Sequence, residues 1–264
     1  MEIDYLDIAV QAAKAAGQIQ RERIWGEYSI DFKGDKNLVT EVDRLSEDVI
    51  LRHLRAACPN CDVLAEESGA WDTGSSLRWI VDPLDGTTNY AHGFPWFAVS
   101  IALEVSGEIR LGVVYHPMMD ELFTSVRGNG AWLNGRKISV SKRQPLKSCL
   151  LATGFPYDRA QSNENNFDNF IQFQLAARAV RRAGAAALDL AYVAAGRLDG
   201  FWECKLNPWD VAAGKLLVEE AGGTVTNHAN EPYSIKDHRI LANNGRIHQE
   251  MLKILASRNT IPTP

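Results

Sequence analysis

Residues 77–88, Leu77-Arg78-Trp79-Ile80-Val81-Asp82-Pro83-Leu84-Asp85-Gly86-Thr87-Thr88, carry an apolar run straight into two carboxylates, a glycine and two hydroxyls. The run reads as a buried strand ending near Asp82. Beyond it, two carboxylates three residues apart across a proline-stiffened turn can converge on a hard cation. Gly86 lets backbone N–H groups approach an anion, and the threonines add hydroxyl donors. Oxygen-only ligation selects magnesium over zinc. An Asp-Pro-x-Asp-Gly surface turn would use the same residues, because Asp, Pro and Gly are the usual turn formers.

Two further acidic stretches bear on that choice. Val63-Leu64-Ala65-Glu66-Glu67-Ser68-Gly69 is another apolar run ending in paired glutamates, and Asn207-Pro208-Trp209-Asp210-Val211-Ala212-Ala213-Gly214 opens a helix with a further carboxylate. Through Glu66-Glu67-Ser68, residues 82–95 (DPLDGTTNYAHGFP) and residues 208–223 (PWDVAAGKLLVEEAGG), the chain resembles the inositol monophosphatase family of magnesium-dependent, lithium-sensitive phosphatases. The two long motifs stand more than a hundred residues apart in the family's order, and the similar organisation runs from the first helix to about residue 257.

A chain of 264 residues with 45% hydrophobic content can bury a large core as one compact unit or two closely joined lobes. The net charge of −5, with lysine and arginine scattered, provides no basic stripe for wrapping nucleic acid. Met1-Glu2-Ile3-Asp4-Tyr5 is acidic and lacks the charged and apolar segments of a leader, and no apolar run approaches the roughly 20 residues needed to cross a bilayer. These features predict a cytoplasmic protein. Cys58-Pro59-Asn60-Cys61 forms a C-x-x-C pair without a partner pair at zinc-finger spacing, so reduced thiols without a redox or zinc role are expected, as for the isolated Cys149 and Cys204.

Apolar spacing predicts helices over 4–22 and over 41–57, the second capped by Thr40. Strand-like runs follow at 62–65, 78–82, 97–105, 109–116 and 120–126, with turn chemistry at Gly128-Asn129-Gly130 and Asn134-Gly135, which reads as a mostly antiparallel meander. The second half alternates strands near 148–153, 179–183 and 199–204 with helices near 163–177, 185–195 and 208–221, then adds strands near 223–227 and 239–242 and a helix near 246–257. Such alternation implies helix layers on sheets, an α+β class. The resemblance implies a layered α-β-α-β-α sandwich, with an N-terminal lobe over 1–143 and a C-terminal lobe over 144–264.

Phosphate monoesters are among the slowest compounds to hydrolyse uncatalysed, so charge neutralisation and positioning must be extensive. Acids packed together suit that task only when cations offset their repulsion, about 4 kcal/mol for a pair 4 Å apart at an effective dielectric near 20. Carried over from the family, Glu66, Asp82 and the carbonyl of Leu84 would hold one magnesium, and Asp82, Asp85 and Asp210 a second. A third, weaker ion would sit near Glu66. Phosphate would rest on the N–H groups of Gly86 and Thr87 at the start of a short helix. Thr87 with Glu66 would orient and activate the attacking water, assisted by Asp43 through the threonine. Asp43 lies three residues after Thr40 and Asp210 three after Asn207, so each also fits the acidic place of a capping box. Glu67 fits a supporting or merely solvated charge, and Lys33 matches a family lysine near the water while also being ordinary for a polar loop.

Substrate recognition falls to the C-terminal half. Residues 182–188, Arg182-Ala183-Gly184-Ala185-Ala186-Ala187-Leu188, resemble the family segment whose backbone lines the substrate, and Glu203 stands where inositol-type members place a hydroxyl-binding glutamate. Gly184, Ala186, Glu203 and Asp85 are therefore the expected substrate contacts, against the plainer alternatives of helix packing and a surface charge. His92 is read as shaping its loop, and Trp96, Phe97 and Trp209 as core or subunit-interface aromatics. The resemblance implies hydrolysis of myo-inositol monophosphate by direct attack of a metal-activated water, in a homodimer. Relatives with the same acids act on fructose 1,6-bisphosphate, histidinol phosphate or 3′-phosphoadenosine 5′-phosphate, and some bacterial members bind the transcription machinery.

Overall fold

The computed structural model describes residues 4–32 and 38–257. The chain begins with α1 (Tyr5–Arg23), β1 (Ile30–Phe32), β2 (Leu38–Thr40), α2 (Glu41–Ala57), β3 (Asp62–Ala65), β4 (Gly69–Trp71), β5 (Leu77–Asp85) and α3 (Thr87–Ala91). It continues through β6 (Ala98–Val105), β7 (Glu108–His116), β8 (Glu121–Val126), β9 (Gly130–Leu133), β10 (Arg136–Ile138) and β11 (Leu150–Thr153). The remainder comprises α4 (Phe167–Ala176), β12 (Ala179–Arg181), α5 (Ala186–Ala194), β13 (Gly200–Cys204), α6 (Pro208–Glu220), β14 (Thr224–Thr226), β15 (Arg239–Asn243) and α7 (His248–Ala256).

Local chemistry starts the first two helices. Asp4 accepts from the N–H groups of Leu6 and Asp7, and Thr40 accepts from those of Val42 and Asp43, which satisfies donors that have no intrahelical partner. Both helices lie on one face of an eight-stranded sheet ordered β10-β9-β8-β7-β6-β5-β3-β4. Alternation sorts β5 between two layers: Trp79 and Val81 join α1 and α2, whereas Ile80 points to the opposite side, among α5 and α6. Covered on both faces, β5 is buried without a break from Trp79 to Leu84.

The second sheet, ordered β12-β11-β13-β15-β14, is parallel at β12, β11 and β13, whose connections run through α4 and α5. Its inner side shares one core with α5, α6 and the first sheet, while Phe173 of α4 and Met251 of α7 pack with Trp202 and Leu241 in a separate cluster on its outer side. The layers thus run α-β-α-β-α. Two glycines let α6 sit deep between its neighbours. A Cβ on Gly214 would come within 2.6 Å of Leu190, and one on Gly112 within 2.9 Å of the Ala213 carbonyl.

Several expectations need correction. The mostly antiparallel meander holds from β5 to β10, but β3 runs parallel to β5, with β4 turning back beside β3. A three-residue strand such as β4 carries too little alternation to be seen in the sequence. The same brevity hid the β1–β2 pairing. Strand β5 continues to Asp85 instead of ending near Asp82. Cys58 and Cys61 form a disulfide instead of remaining reduced: the end of α2 places their Cα atoms 5.4 Å apart, inside bonding range. Cys149 and Cys204 are free and buried, as expected.

Candidate active site

The bulge in β5 explains how the acids of the first motif reach one place. From Asp82 to Asp85 the strand advances three residues while its partner β6 advances two, from Ser100 to Ala98, so one residue is extra and the chain is re-aimed. Pro83 supplies no N–H, and its carbonyl accepts from Gln20 Nε2 at 2.7 Å. Asp82, 1% exposed, accepts from the Leu84 N–H at 3.0 Å. Gly86 follows at φ 96°, a left-handed conformation that favours glycine, and α3 begins there without a side-chain cap.

Other layers bring the remaining acids. Asp85 Oδ2 accepts from the Ala187 N–H at 2.7 Å, which ties the first motif to the N-terminus of α5. Asp210 sits in the first turn of α6 and accepts from the Asn207 N–H at 2.7 Å. Glu66 follows β3, and its neighbours are held from α2, where Glu47 accepts from the N–H groups of Glu67 and Ser68 at 2.9 and 2.8 Å. All four acids line one cavity of about 930 Å³, with Leu84, Gly86, Thr87, Gly184, Ala186 and Glu203.

Asp43 lies behind this wall. Its Oδ2 accepts from the N–H and hydroxyl of Thr40, and its Oδ1 accepts from the Thr87 hydroxyl at 2.8 Å. The capping and the site readings therefore hold together, since one oxygen serves the helix and the other serves the cavity threonine. Asp210 combines the roles likewise, capping α6 while lining the cavity. Lys33 lies outside the described residues. His92 closes the C-terminus of α3 through its N–H and lines the cavity rim. Phe97 is core, packed against Tyr90, and Trp96 and Trp209 pack against the central cluster.

Burial makes the site electrostatically unfavourable by itself. It pushes Asp85 and Asp210 up to about 7 and Glu203 to about 8, and it raises Asp82 well above the carboxylate range, with further repulsion from Glu66, Asp85 and Asp210. Burial also raises Asp43 to about 6. Among the described residues no Lys or Arg forms a salt bridge with Asp82, Asp85 or Asp210, and no three His, Cys, Asp or Glu side chains converge closely enough to hold a metal ion by themselves. The donor set nonetheless suits a hard divalent cation, being oxygen throughout and short of positive charge.

The sequence profile of the Inositol monophosphatase family matches residues 3–260. The chain belongs to the inositol monophosphatase family. It is 45% identical over 256 residues to an inositol-1-monophosphatase of Synechocystis sp., covering 96% of this chain and 89% of that protein. It is also 45% identical over 255 residues to Nus factor SuhB of Pseudomonas aeruginosa, covering 94% of each. The solved inositol monophosphatase of Anabaena (Nostoc) sp. superposes with a TM-score of 0.87 at 45% identity, over 95% of this chain and 94% of that one. Membership makes the chain a phosphatase acting on phosphate monoesters. No described helix is long and apolar enough to cross a membrane.

Sequence reasoning missed the supports of this cavity. Gln20 and Glu47 are polar residues on the buried sides of α1 and α2, and that break in amphipathic pattern was their signal. Asn89 donates to the carbonyls of Trp96 and Ala183 at 2.7 and 2.9 Å, fastening residues 182–186 to the first motif. Gly154 had no visible signal. A Cβ there would overlap the Glu203 carboxylate, and buried Asn166 fixes the segment by donating to the Gly154 carbonyl at 2.7 Å. Gly154→Ala is expected to push Glu203 from its place without unfolding the chain, because only the flexible end of a side chain must move. Steady-state kinetics should show kcat/KM for a polyol phosphate reduced at least about tenfold at an unchanged circular dichroism spectrum. Wild-type kinetics would show that Gly154 does not set the position of Glu203.

Proposed function

We propose that this chain is a magnesium-dependent phosphomonoesterase that hydrolyses myo-inositol monophosphate to inositol and phosphate by direct attack of water. The observation that carries the reading is the shared cavity of Glu66, Asp82, Asp85, Thr87, Asp210 and Glu203. Glu66, Asp82, the Leu84 carbonyl, Asp85 and Asp210 would hold two magnesium ions, with a third near Glu66. When bound, magnesium neutralises phosphoryl charge and lowers the pKa of water.

Thr87 has one hydroxyl proton, and with Asp43 accepting it the oxygen lone pairs remain to accept from the attacking water. Ionised Asp43 accepts at both oxygens and donates at neither, and its pKa of about 6 keeps it largely in that form at neutral pH. The N–H groups of Gly86 and Thr87 would receive phosphate at the start of α3, and Glu66 would share the orientation of water with Thr87. On the other side, Glu203, Asp85 and the backbone of Gly184 and Ala186 would receive the polyol. An acid buried as deeply as Glu203, 8% exposed, discriminates because an analogue lacking the hydroxyl leaves it unpaired.

The test is phosphate release over a panel of inositol 1-phosphate, fructose 1,6-bisphosphate, histidinol phosphate and 3′-phosphoadenosine 5′-phosphate, with magnesium and with excess chelator. The highest kcat/KM should fall on inositol 1-phosphate, chelator should abolish turnover, and lithium should inhibit. Undiminished turnover in chelator would remove the metal reading, and preference for another substrate would reassign the polyol pocket.

A second reading concerns partners. The Pseudomonas aeruginosa relative is named a Nus factor, which supports a reading in which this chain, taken as the cytoplasmic homodimer expected from its sequence and resemblance, also binds the transcription machinery. Copurification of RNA polymerase with the tagged chain, and its absence with an unrelated phosphatase, would support this; equal recovery would remove it.

A further inference from the structure

Helix α5 opens as Ala186-Ala187-Leu188-Asp189-Leu190-Ala191, one acid in an otherwise apolar and buried stretch. Asp189 is 2% exposed, it lines the same cavity as Glu203, and its buried Oδ1 has no hydrogen-bond partner among the described residues. Two buried acids outside the cavity are differently provided for. Asp199 accepts from Arg143, Ser141 and the Leu150 N–H, and Asp62 from Thr73 and Ser75. Stranding a buried carboxyl oxygen is costly, and its persistence in a cavity wall points to a partner that arrives with the ligand.

We propose that Asp189 is a specificity-determining residue that binds a substrate hydroxyl as the companion of Glu203. This rests on the polyol reading above. Burial is the leading influence that favours a proton on Asp189. A protonated carboxyl beside a second acid presents one donor and several acceptors, a set matched by adjacent hydroxyls, each of which donates and accepts. The fold fixes the placement: the N–H of Ala187 in the first turn of α5 is engaged with Asp85, Asp189 lines the same cavity as Asp85, and among the described residues no donor reaches its Oδ1. The chemical class selected is a phosphomonoester with neighbouring hydroxyls, as distinct from an aryl or simple alkyl phosphate.

The experiment compares kcat/KM for inositol 1-phosphate and phenyl phosphate in wild type, Asp189→Ala and Asp189→Asn, with thermal melts of each. In Asp189→Ala the ratio between the two substrates should fall about ten- to a hundredfold, with phenyl phosphate turnover changed less than about threefold and Tm unchanged or higher. Asp189→Asn keeps a donor and an acceptor in the same shape and should recover most of the ratio. Equal losses on both substrates, or a lowered Tm with an unchanged ratio, would overturn the proposal and leave Asp189 a structural residue. Should wild type itself fail to prefer inositol 1-phosphate while cleaving phenyl phosphate, the polyol reading falls and this inference with it. An unchanged ratio in Asp189→Ala beside a selective wild type overturns the inference alone.

Discussion

Asp82→Asn is expected to reduce kcat by at least roughly a thousandfold at saturating magnesium while raising the thermal stability of the metal-free protein. Losing several kcal/mol of transition-state charge stabilisation gives a rate loss of that order. The stability gain has a separate cause. Asp82 is buried, and its ionised form is opposed by burial and by Glu66, Asp85 and Asp210, so a neutral amide of the same shape relieves repulsion while its oxygen still accepts from the Leu84 N–H. Kinetics and melts in excess chelator measure the two halves. Activity within tenfold of wild type would contradict the metal assignment, and a lowered metal-free Tm would contradict the electrostatic account.

The second large effect joins pH to magnesium. Asp85 and Asp210, at about 7, and Glu203, at about 8, titrate above the value near 4 expected of an unfolded carboxyl. A group raised in this way destabilises the metal-free fold once it must ionise there, so stability declines as pH rises from about 4 through 8. His116 and His228 act in the opposite sense. Burial lowers both to about 4, and the metal-free fold loses their contribution as pH falls below about 6.5. The raised acids outnumber these histidines, so Tm in chelator should rise from pH 8 to pH 6. Magnesium should reverse the trend at the alkaline end. At a hundred times its Kd, linkage supplies about 2.7 kcal/mol, or roughly 5–11 °C at 2–4 °C per kcal/mol. At pH 5, where Asp85 and Asp210 are largely protonated, the shift should be small. Equal magnesium shifts at pH 5 and pH 8 would show that these carboxylates are not the ligands.

Residues 77–88 illustrate what could be read without coordinates. The apolar run dictates a strand and the proline a stiff interruption by local sterics alone, and β5 and its bulge follow that order, although the strand resumes beyond the bulge to Asp85. Helix α2 was equally legible, because Thr40, Asp43 and the apolar spacing are all local signals, and its bounds coincide with those expected. Family motifs added the layers and the acids on the same footing, since their residues can be matched one by one.

Local signals cannot state which element a side chain meets across the core. Local signals showed Asp43 as a cap and the resemblance implied a link to Thr87, yet only the packing of the layers brings its second oxygen to that hydroxyl. Gly154 directly follows β11 and Glu203 lies on its parallel neighbour β13, and their contact depends on a register that neither stretch encodes by itself. The Cys58–Cys61 bond turned on the angle at which α2 ends, a distance and not a spacing. Local sequence signals thus determined most of the helices and strands, and the family motifs the kind of chemistry. Tertiary structure decided which acids share a cavity and which of them, Asp189 among them, is left without a partner, because burial and repulsion exist only once distant segments are packed together.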